Sequence, residues 1–293
     1  MTSSTTTQTS TLPNFKATLD TTHDTNIEIP RGPVTSSLIF YAPPPDGSAP
    51  WNYVETPPEG SPQRNYGEHP HEVHIEDIRG RESSFHLNRD AFATISGVSS
   101  EEKEFTDDDH IKKVYYPEVE KLLLDNIEGA QRVLLFDHTI RRSDPNAARA
   151  PVNRAHIDQT VASTQLRVQY HLPDEAEELL KGRYRIINVW RPLNGPVVAS
   201  PLAFAASHTV KDDSIVPVQH RYPHRTGETA GVKYDDGMKW YYWSGMTNDE
   251  RLLLQCCDSK DGARVPHSAF VDPRTQPHFP GRESIEVRAL VFG

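Results

Sequence analysis

The stretch YRIINVWRPL, residues 184–193, is rich in β-branched and aromatic residues and predicts a β-strand. Alternation along such a strand puts Asn188 and Trp190 on one face and Arg191 on the other. Similar runs recur along the chain, namely QRVLLFDHTI (131–140), TQLRVQYHL (164–172), KWYYWSG (239–245), RLLLQCCDS (251–259) and SIEVRALVF (284–292). Many short strands separated by turn residues indicate a mainly β core.

Helical patterns are few, and they lie between the predicted strands. The sequence YPEVEKLLLDNIEGA, residues 116–130, has Pro117 in its first turn and Gly129 at its end, as helices commonly do. A second pattern, LPDEAEELLKG (172–182), begins with acidic residues and ends at Gly182. We therefore expect a β core with peripheral helices.

The N-terminal part of the chain differs in composition from the rest. Residues 1–30 are rich in Ser and Thr and predict a flexible tail. The stretch from 43 to about 70 is dense in Pro and Gly yet contains Trp51, Tyr53 and Tyr66, so we expect an ordered arm or lid across the core. The predicted organisation is one catalytic domain built from the tail (1–30), an arm or lid with a helix (31–130) and the β core (131–293).

Charge and hydropathy exclude several classes of partner. The net charge is −10 and no basic run occurs, so the chain has no source for the phosphate neutralisation that nucleic-acid binding requires. No stretch of about 18 apolar residues predicts a membrane span, and the N-terminus lacks the pattern of a secretory signal. We expect a cytoplasmic protein whose partner is a small-molecule substrate, and the sequence leaves a homodimer open.

The motif with the clearest chemistry is His156-x-Asp158, within RAHIDQT (154–160). On an extended segment, residues i and i+2 point to the same face, so this imidazole and this carboxylate can bind one ion. With a second histidine from elsewhere in the chain, they form a two-histidine, one-carboxylate triad that leaves coordination positions open. The pair alone also fits a surface histidine and aspartate at the end of a strand.

Two downstream segments complete this pattern, VPHSAFVDP (265–273) and PGRESIEVRALVFG (280–293). His267 is a candidate for the third ligand. If the keto acid end of 2-oxoglutarate chelates the metal, its remote carboxylate needs a cation, and a guanidinium can bond it through two parallel hydrogen bonds. Arg282 and Arg288 share one strand face, so alternation alone does not choose between them. Arg282 is favoured because it is nearer to His267 in sequence, with Ser284 as a second donor.

Other histidines compete for the role of metal ligand. His74-x-Glu76 has the same local form as the first pair, but no strand of good length follows it. The segment HRYPHRTG supplies His220 and His224, whose Pro, Arg and Gly neighbours indicate an exposed loop. These surroundings favour His267 as the third ligand.

Five blocks carry a resemblance to a known family: FDHTIRRS (136–143), RAPVNRAHIDQT (149–160), YRIINVWRPLNGPVVASPLAF (184–204), PHSAFVDP (266–273) and RESIEVRALVF (282–292). They resemble the fungal asaB-type hydroxylase/desaturase family, which includes gibberellin desaturase and novofumigatonin endoperoxygenase and is similar to the cephamycin methoxylation protein. The likeness covers roughly residues 70–293. It implies a double-stranded β-helix core of the jelly-roll, cupin-like kind, Fe(II), 2-oxoglutarate and O2 as cosubstrate. It also implies that His156, Asp158 and His267 are the iron ligands.

The resemblance further implies an enzyme of fungal secondary metabolism that oxidises an unactivated C–H bond. The substrate expected is a mainly apolar small molecule, such as a terpenoid or meroterpenoid, and Trp190, Arg191 and Tyr66 are the candidate residues to contact it. Hydroxylation, desaturation and endoperoxide formation all remain open. The alternative is a non-catalytic, cupin-like protein that binds a small molecule, and the complete triad with Arg282 argues against it.

Overall fold

A computed structural model describes residues 27–143 and 149–293, so residues 1–26 of the predicted tail lie outside the described residues. The described chain forms two β-sheets. The larger sheet has nine strands, in the spatial order β1 (Val34–Ala42), β3 (Gly67–Asp77), β11 (Trp240–Tyr242), β8 (Leu202–Ala205), β13 (His267–Ala269), β6 (His156–Ile157), β10 (Thr226–Val232), β9 (Ile215–Arg221) and β2 (Trp51–Tyr53). The smaller sheet has five, in the order β4 (Phe92–Ile95), β12 (Arg251–Asp258), β7 (Tyr184–Pro192), β14 (Glu283–Phe292) and β5 (Arg132–Arg142).

Helices are short and peripheral, as the sequence predicts. They are α1 (Leu87–Asp90), α2 (Asp108–His110), α3 (Tyr116–Asn126), α4 (Val161–His171) and α5 (Ala176–Leu179), with a π-helical turn at Ile111–Tyr115 and 3₁₀ turns at Glu82–Ser84, Ser207–Thr209 and Asp212–Ser214. The predicted helix at 116–130 is confirmed as α3, which has Pro117 in its first turn. The predicted helix at 172–182 is present only as the short α5.

The architecture is a double-stranded β-helix, confirming the expected fold class. One face of the smaller sheet packs against α3, where Val119 and Leu123 meet Ile187 and Val287. Its other face turns toward the larger sheet, with a buried apolar cluster that includes Trp240 between them. The candidate metal ligands His156 and His267 are on β6 and β13 of the larger sheet, which packs against the smaller sheet.

One predicted strand is wrong. The run TQLRVQYHL, residues 164–172, belongs to helix α4 and not to a sheet. The Thr160 side chain accepts a hydrogen bond from the Ser163 backbone N–H, and the Ser163 hydroxyl accepts one from the Thr160 backbone N–H. This capping box starts a helix immediately after the His156-x-Asp158 motif. The apolar alternation that suggested a strand places Leu166 and Tyr170 four residues apart, on one face of a helix.

Strands from the N-terminal part of the chain extend both sheets. β1 and β3 pair antiparallel in the larger sheet, and β4 pairs with β12 in the smaller one. β2, which carries Trp51 and Tyr53, pairs parallel with β9. The segment predicted as an arm with a helix thus supplies sheet strands as well as α3. In the part of the chain that the structure describes, no helix is both long enough and apolar enough to cross a membrane.

Candidate active site

Three residues from two neighbouring strands and a following turn converge at one point. His156 on β6 pairs directly with His267 on β13, and Asp158 follows β6. One donor atom from each residue lies within 4.8 Å of the others. The Nε2 atom of His156 is 3.3 Å from Oδ1 of Asp158, and Nε2 of His267 is 4.0 Å from the same oxygen. Such a cluster is the right size to surround one metal ion.

The other polar atoms of the triad are bonded away from its centre. His156 donates from Nδ1 to the Arg154 carbonyl at 2.7 Å, and His267 donates from Nδ1 to the Val265 carbonyl at 3.1 Å. A proton on each Nδ1 leaves the Nε2 lone pair facing the centre of the cluster. The two imidazoles are therefore oriented as metal ligands before any ion binds.

The Asp158 carboxylate is oriented by residues from the smaller sheet. Its Oδ2 atom accepts hydrogen bonds from Asn188 at 2.9 Å and from Arg288 at 3.5 Å, which leaves Oδ1 facing the histidines. Burial acts to raise the pKa of Asp158, but the hydrogen bond to His156 and the charge of Arg288 hold it well below its usual range. The carboxylate is therefore ionised, as an iron ligand has to be.

Burial also fixes the protonation state of the second histidine. His267 is almost fully buried, and this burial together with the neighbouring His156 lowers its pKa to about 4. A neutral imidazole at ordinary pH is the form that binds metal. Two imidazoles and one carboxylate on one face form the donor set of non-haem Fe(II) oxygenases, so the residues present fit iron.

Arg282 lies in a cleft beside the triad, which Trp190, His267 and Glu286 also line. Its Nη1 donates to the Ser200 carbonyl at 2.7 Å, whereas its buried Nε has no partner among the described residues. Within residues 27–143 and 149–293, no carboxylate oxygen lies within 4.0 Å of the Arg282 guanidinium. Burial lowers the pKa of Arg282 to about 9. A buried guanidinium without a counterion fits the remote carboxylate of 2-oxoglutarate.

Arg288, the competing anchor, is already paired. Its Nε donates to Asp137 at 2.6 Å, its Nη2 to Thr139 at 2.6 Å, and its Nη1 to Asp158 at 3.5 Å. The charges of Asp158 and Asp137 raise its pKa even though burial acts in the opposite direction. Arg288 thus contacts the triad, but its guanidinium has little remaining capacity for another carboxylate.

The other candidate residues fall in different places. Trp190 lines the cleft, with its ring 5.4 Å from the Arg282 guanidinium carbon. Ser284 is buried near the start of β14, two residues after Arg282. Arg191 points to the opposite side of β7, where it donates to the Asn248 carbonyl and lies over aromatic rings, so it does not contact the site. Tyr66 packs against Tyr41 of β1 and lies under the Arg154 guanidinium, and it does not line the cavity.

The competing histidines do not join the triad. His74 bonds Glu76 at 3.0 Å on the exposed face of β3. His224 is exposed. His220 is not on an exposed loop: it lies on β9, lines the large cavity and bonds the Thr229 hydroxyl at 2.9 Å. Burial lowers its pKa to about 4, so it is a neutral wall residue.

A large cavity of about 590 Å³ opens beside His156 and Asp158. One wall is α4, which presents Leu166 and Tyr170, respectively 58% and 78% exposed. Another wall is the hairpin that joins β9 to β10. The volume suits a small organic molecule, and large exposed apolar side chains at its entrance suit an apolar one.

Two residues of the site were not selected from the sequence. Asn188 was placed on the same face as Trp190, and a polar residue in the middle of an apolar strand was the available signal. Arg141 lines both the cleft and the large cavity and donates to the Ala150 carbonyl at 3.0 Å. It stands in register opposite Ser284 on β14, a pairing that requires knowledge of the sheet order.

Comparison with known proteins gives the same picture. Residues 38–292 match the protein family described as an oxidoreductase/YMDC permease-like domain. The hydroxylase/desaturase poxK of Penicillium oxalicum is 40% identical over 255 residues, which cover 75% of this chain and 78% of that protein. The alpha-ketoglutarate-dependent dioxygenase phiK of a fungal species is 31% identical over 281 residues, 91% of this chain and 98% of that protein.

A solved structure shares the fold over nearly the whole chain. The iron and alpha-ketoglutarate-dependent endoperoxidase NvfI superimposes with a TM-score of 0.82 at 30% sequence identity, covering 90% of this chain and 99% of that one. The same protein, nvfI of Aspergillus novofumigatus, is 31% identical by sequence over 76% of this chain and 84% of its own length.

Proposed function

The chain belongs to the fungal asaB-type hydroxylase/desaturase family and is an Fe(II)- and 2-oxoglutarate-dependent dioxygenase, and from this premise we propose that it oxidises an unactivated C–H bond of a mainly apolar small molecule. The proposal covers substrates of fungal secondary metabolism, with terpenoids or meroterpenoids as the first class to test. The apolar side chains of Leu166 and Tyr170 at the cavity entrance support an apolar substrate.

In this proposal His156, Asp158 and His267 hold the iron. The observation that carries it is the orientation of the triad: three donor atoms within 4.8 Å, and the second polar atom of each side chain bonded outward. Arg282 binds the remote carboxylate of 2-oxoglutarate, and Ser284, two residues further along the chain, is the proposed second donor. Bound iron and 2-oxoglutarate supply the means to activate O2 for removal of hydrogen from an unreactive carbon, with succinate and carbon dioxide as coproducts.

The protein's own residues orient the reactants and exclude water. Asn188 and Arg288 keep Oδ1 of Asp158 directed at the metal position. Trp190 closes one side of the cleft, and its apolar ring keeps water away from the cosubstrate end of the site. Helix α4 holds the substrate wall close to the metal because its capping box begins only two residues after Asp158.

The proposal includes three possible reactions, and analysis of the product distinguishes them. Hydroxylation adds one oxygen atom, desaturation removes two hydrogen atoms, and endoperoxide formation adds two oxygen atoms. Among the similar proteins, poxK is named a hydroxylase/desaturase and NvfI an endoperoxidase. Because each outcome changes the substrate mass by a different amount, mass spectrometry of the product distinguishes the three.

The experiment is a screen for substrate-dependent release of succinate. The purified protein is incubated with Fe(II), 2-oxoglutarate, O2 and a panel of terpenoids and meroterpenoids, and both succinate and the oxidised product are measured. We expect one structural class to stimulate succinate release together with a matching mass change. Asp158→Ala is the control and should give neither. Succinate release that does not differ between this variant and the wild type would contradict the proposal, as would a panel in which no member stimulates succinate release.

A further inference from the structure

The large cavity has an unusual excess of positive charge for a site that is expected to hold an apolar molecule. Among the residues that the structure describes, five arginines and two acidic residues line it: Arg141, Arg154, Arg167, Arg225 and Arg288 against Asp158 and Glu228. Both acids are already engaged, because Asp158 belongs to the triad and Glu228 accepts a hydrogen bond from Thr160. The cavity thus presents more cationic groups than its own acids neutralise.

Three of the five arginines have partners in the protein. Arg288 pairs with Asp137, and Arg154 pairs with Glu68 at 3.2 Å. Arg141 donates to a backbone carbonyl. Their positions are explained by these contacts, so they give no reason to invoke a ligand.

Arg167 and Arg225 are different. Within residues 27–143 and 149–293, no carboxylate oxygen lies within 4.0 Å of either guanidinium, and neither side chain donates a hydrogen bond to another described residue. Each instead lies over an aromatic ring: Arg167 over Phe136 at 5.0 Å, and Arg225 over Tyr222 at 3.8 Å. Stacking of this kind fixes the direction of a guanidinium while leaving its N–H groups free to donate.

The two guanidiniums come from separate elements and converge on the same space. Arg167 is on α4, Arg225 is in the hairpin between β9 and β10, and both line the cavity. They are close enough that burial and the positive charge of Arg225 lower the pKa of Arg167, although Asp137 acts in the opposite direction. Arg167 is half-buried and Arg225 is exposed at the rim, and like charges that face one cavity repel each other unless an anion lies between them.

We propose that the substrate is an apolar organic acid, whose carboxylate is bound by Arg167 and Arg225 while its apolar body packs against Leu166 and Tyr170. This inference rests on the proposed function, because it names the substrate class of the same cavity. It is separate from the binding of 2-oxoglutarate, since Arg282 lies in the adjoining cleft and does not line this cavity.

The test is a binding measurement with matched pairs of probes. Decanoate and abietate are compared with their alcohols, decanol and abietinol, by calorimetry and by quenching of intrinsic tryptophan fluorescence, using the full chain without O2. We expect the wild type to bind at least one acid more tightly than its alcohol. Arg167→Ala and Arg225→Ala should each weaken binding of that acid by about tenfold, because a charge-assisted contact is lost, and should leave the alcohol unchanged.

Arg132→Ala is the matched control. It removes the same charge, but Arg132 pairs with Glu175 outside the cavity, so acid binding should not change. If Arg167→Ala disturbs helix α4, Arg225→Ala still tests the proposal, because Arg225 lies in a hairpin outside that helix. A wild type without preference for either acid, or equal losses for acid and alcohol in both variants, would overturn the proposal. Binding of 2-oxoglutarate to the Fe(II) protein, measured in parallel, reports separately on the proposed function and should stay the same in both variants.

Discussion

The side-chain amide of Asn188 donates a 2.9 Å hydrogen bond to Oδ2 of Asp158, and this bond joins the two sheets at the metal site. Asn188 is on β7 of the smaller sheet, whereas Asp158 follows β6 of the larger one. The bond leaves Oδ1 of Asp158 beside Nε2 of His156. The metal-binding geometry therefore depends on the packing of one sheet against the other as well as on the local His156-x-Asp158 motif.

We predict that Asn188→Leu, which removes this donor but keeps the branching at the γ carbon, weakens Fe(II) binding about 10- to 100-fold, as loss of a partner to a metal ligand commonly does. Anaerobic titration with Fe(II) measures the effect, and thermal unfolding of the metal-free protein checks that the fold is retained. An unchanged affinity would mean that Arg288 is sufficient to hold the carboxylate.

The anchor of 2-oxoglutarate is tested by comparing Arg282→Ala with Arg288→Ala. Arg282 is buried and has no carboxylate partner among the described residues, so its loss should weaken 2-oxoglutarate binding by more than about tenfold, on the order of 2 kcal/mol. Arg288 is bonded to Asp137 and Thr139, so its loss should mainly lower the free energy of unfolding. The apparent affinity for 2-oxoglutarate and the melting temperature are measured in both variants. A large loss of cosubstrate affinity in Arg288→Ala alone would reverse the assignment.

Glu286 gives the metal-free protein a specific pH dependence. Burial and the charge of Asp158 raise the pKa of Glu286 from 4.5 to about 7. Between these two values the folded state binds more protons than the unfolded state, so this group reduces stability as the pH rises through that window. Glu286→Gln removes the effect and should stabilise the protein above about pH 7, but not below about pH 4.5. Thermal unfolding in the presence of a chelator measures the stability of both proteins as a function of pH.

Glu72→Gln, an exposed change on β3, is the control. Identical pH profiles for Glu286→Gln and the wild type would contradict the prediction.

The arm from 43 to about 80 is predicted to become more ordered over the active site when substrate binds. β2 within it pairs with β9, and Val54 donates from its backbone to the Arg221 carbonyl at 3.0 Å, so the arm is attached to the hairpin that forms a cavity wall. Closing of that wall on a substrate should therefore protect the backbone amides of the arm. Hydrogen exchange with and without the substrate identified by turnover measures this protection. Equal exchange in the two states would count against a lid.

The sequence predicts most of the scaffold, because the strands buried on both faces have strong β-branched and aromatic composition. The prediction for residues 164–172 is wrong because the apolar residues there fit both the alternation of a strand and the spacing of a helix. The capping box at Thr160 is the feature that distinguishes a helix from a strand in this segment. The sequence also gives too little weight to β3, whose histidines and acids are typical of an exposed edge. Local composition cannot identify the partners of Asp158, since Asn188 and Arg288 reach it from strands far away in sequence.

The His156-x-Asp158 motif could be found from the sequence because both ligands lie on one short extended segment. Local patterns favoured His267 over His220 because His220 was expected on an exposed loop, and that reason is wrong, since His220 lies on β9. Both histidines lie on strands of the larger sheet and both are neutral, but only His267 pairs directly with His156. The resemblance to the family supplied that choice, and the register between β6 and β13 gives its physical basis.

The central claim is that His156, Asp158 and His267 together hold Fe(II) in a form that binds 2-oxoglutarate. The most direct measurement is the visible charge-transfer band that forms when 2-oxoglutarate is added to the Fe(II) protein without O2. We predict that the wild type and His220→Ala develop this band, whereas His156→Ala, Asp158→Ala and His267→Ala remain folded and do not. A band that persists in His267→Ala but disappears in His220→Ala would contradict the account and assign the third ligand to β9.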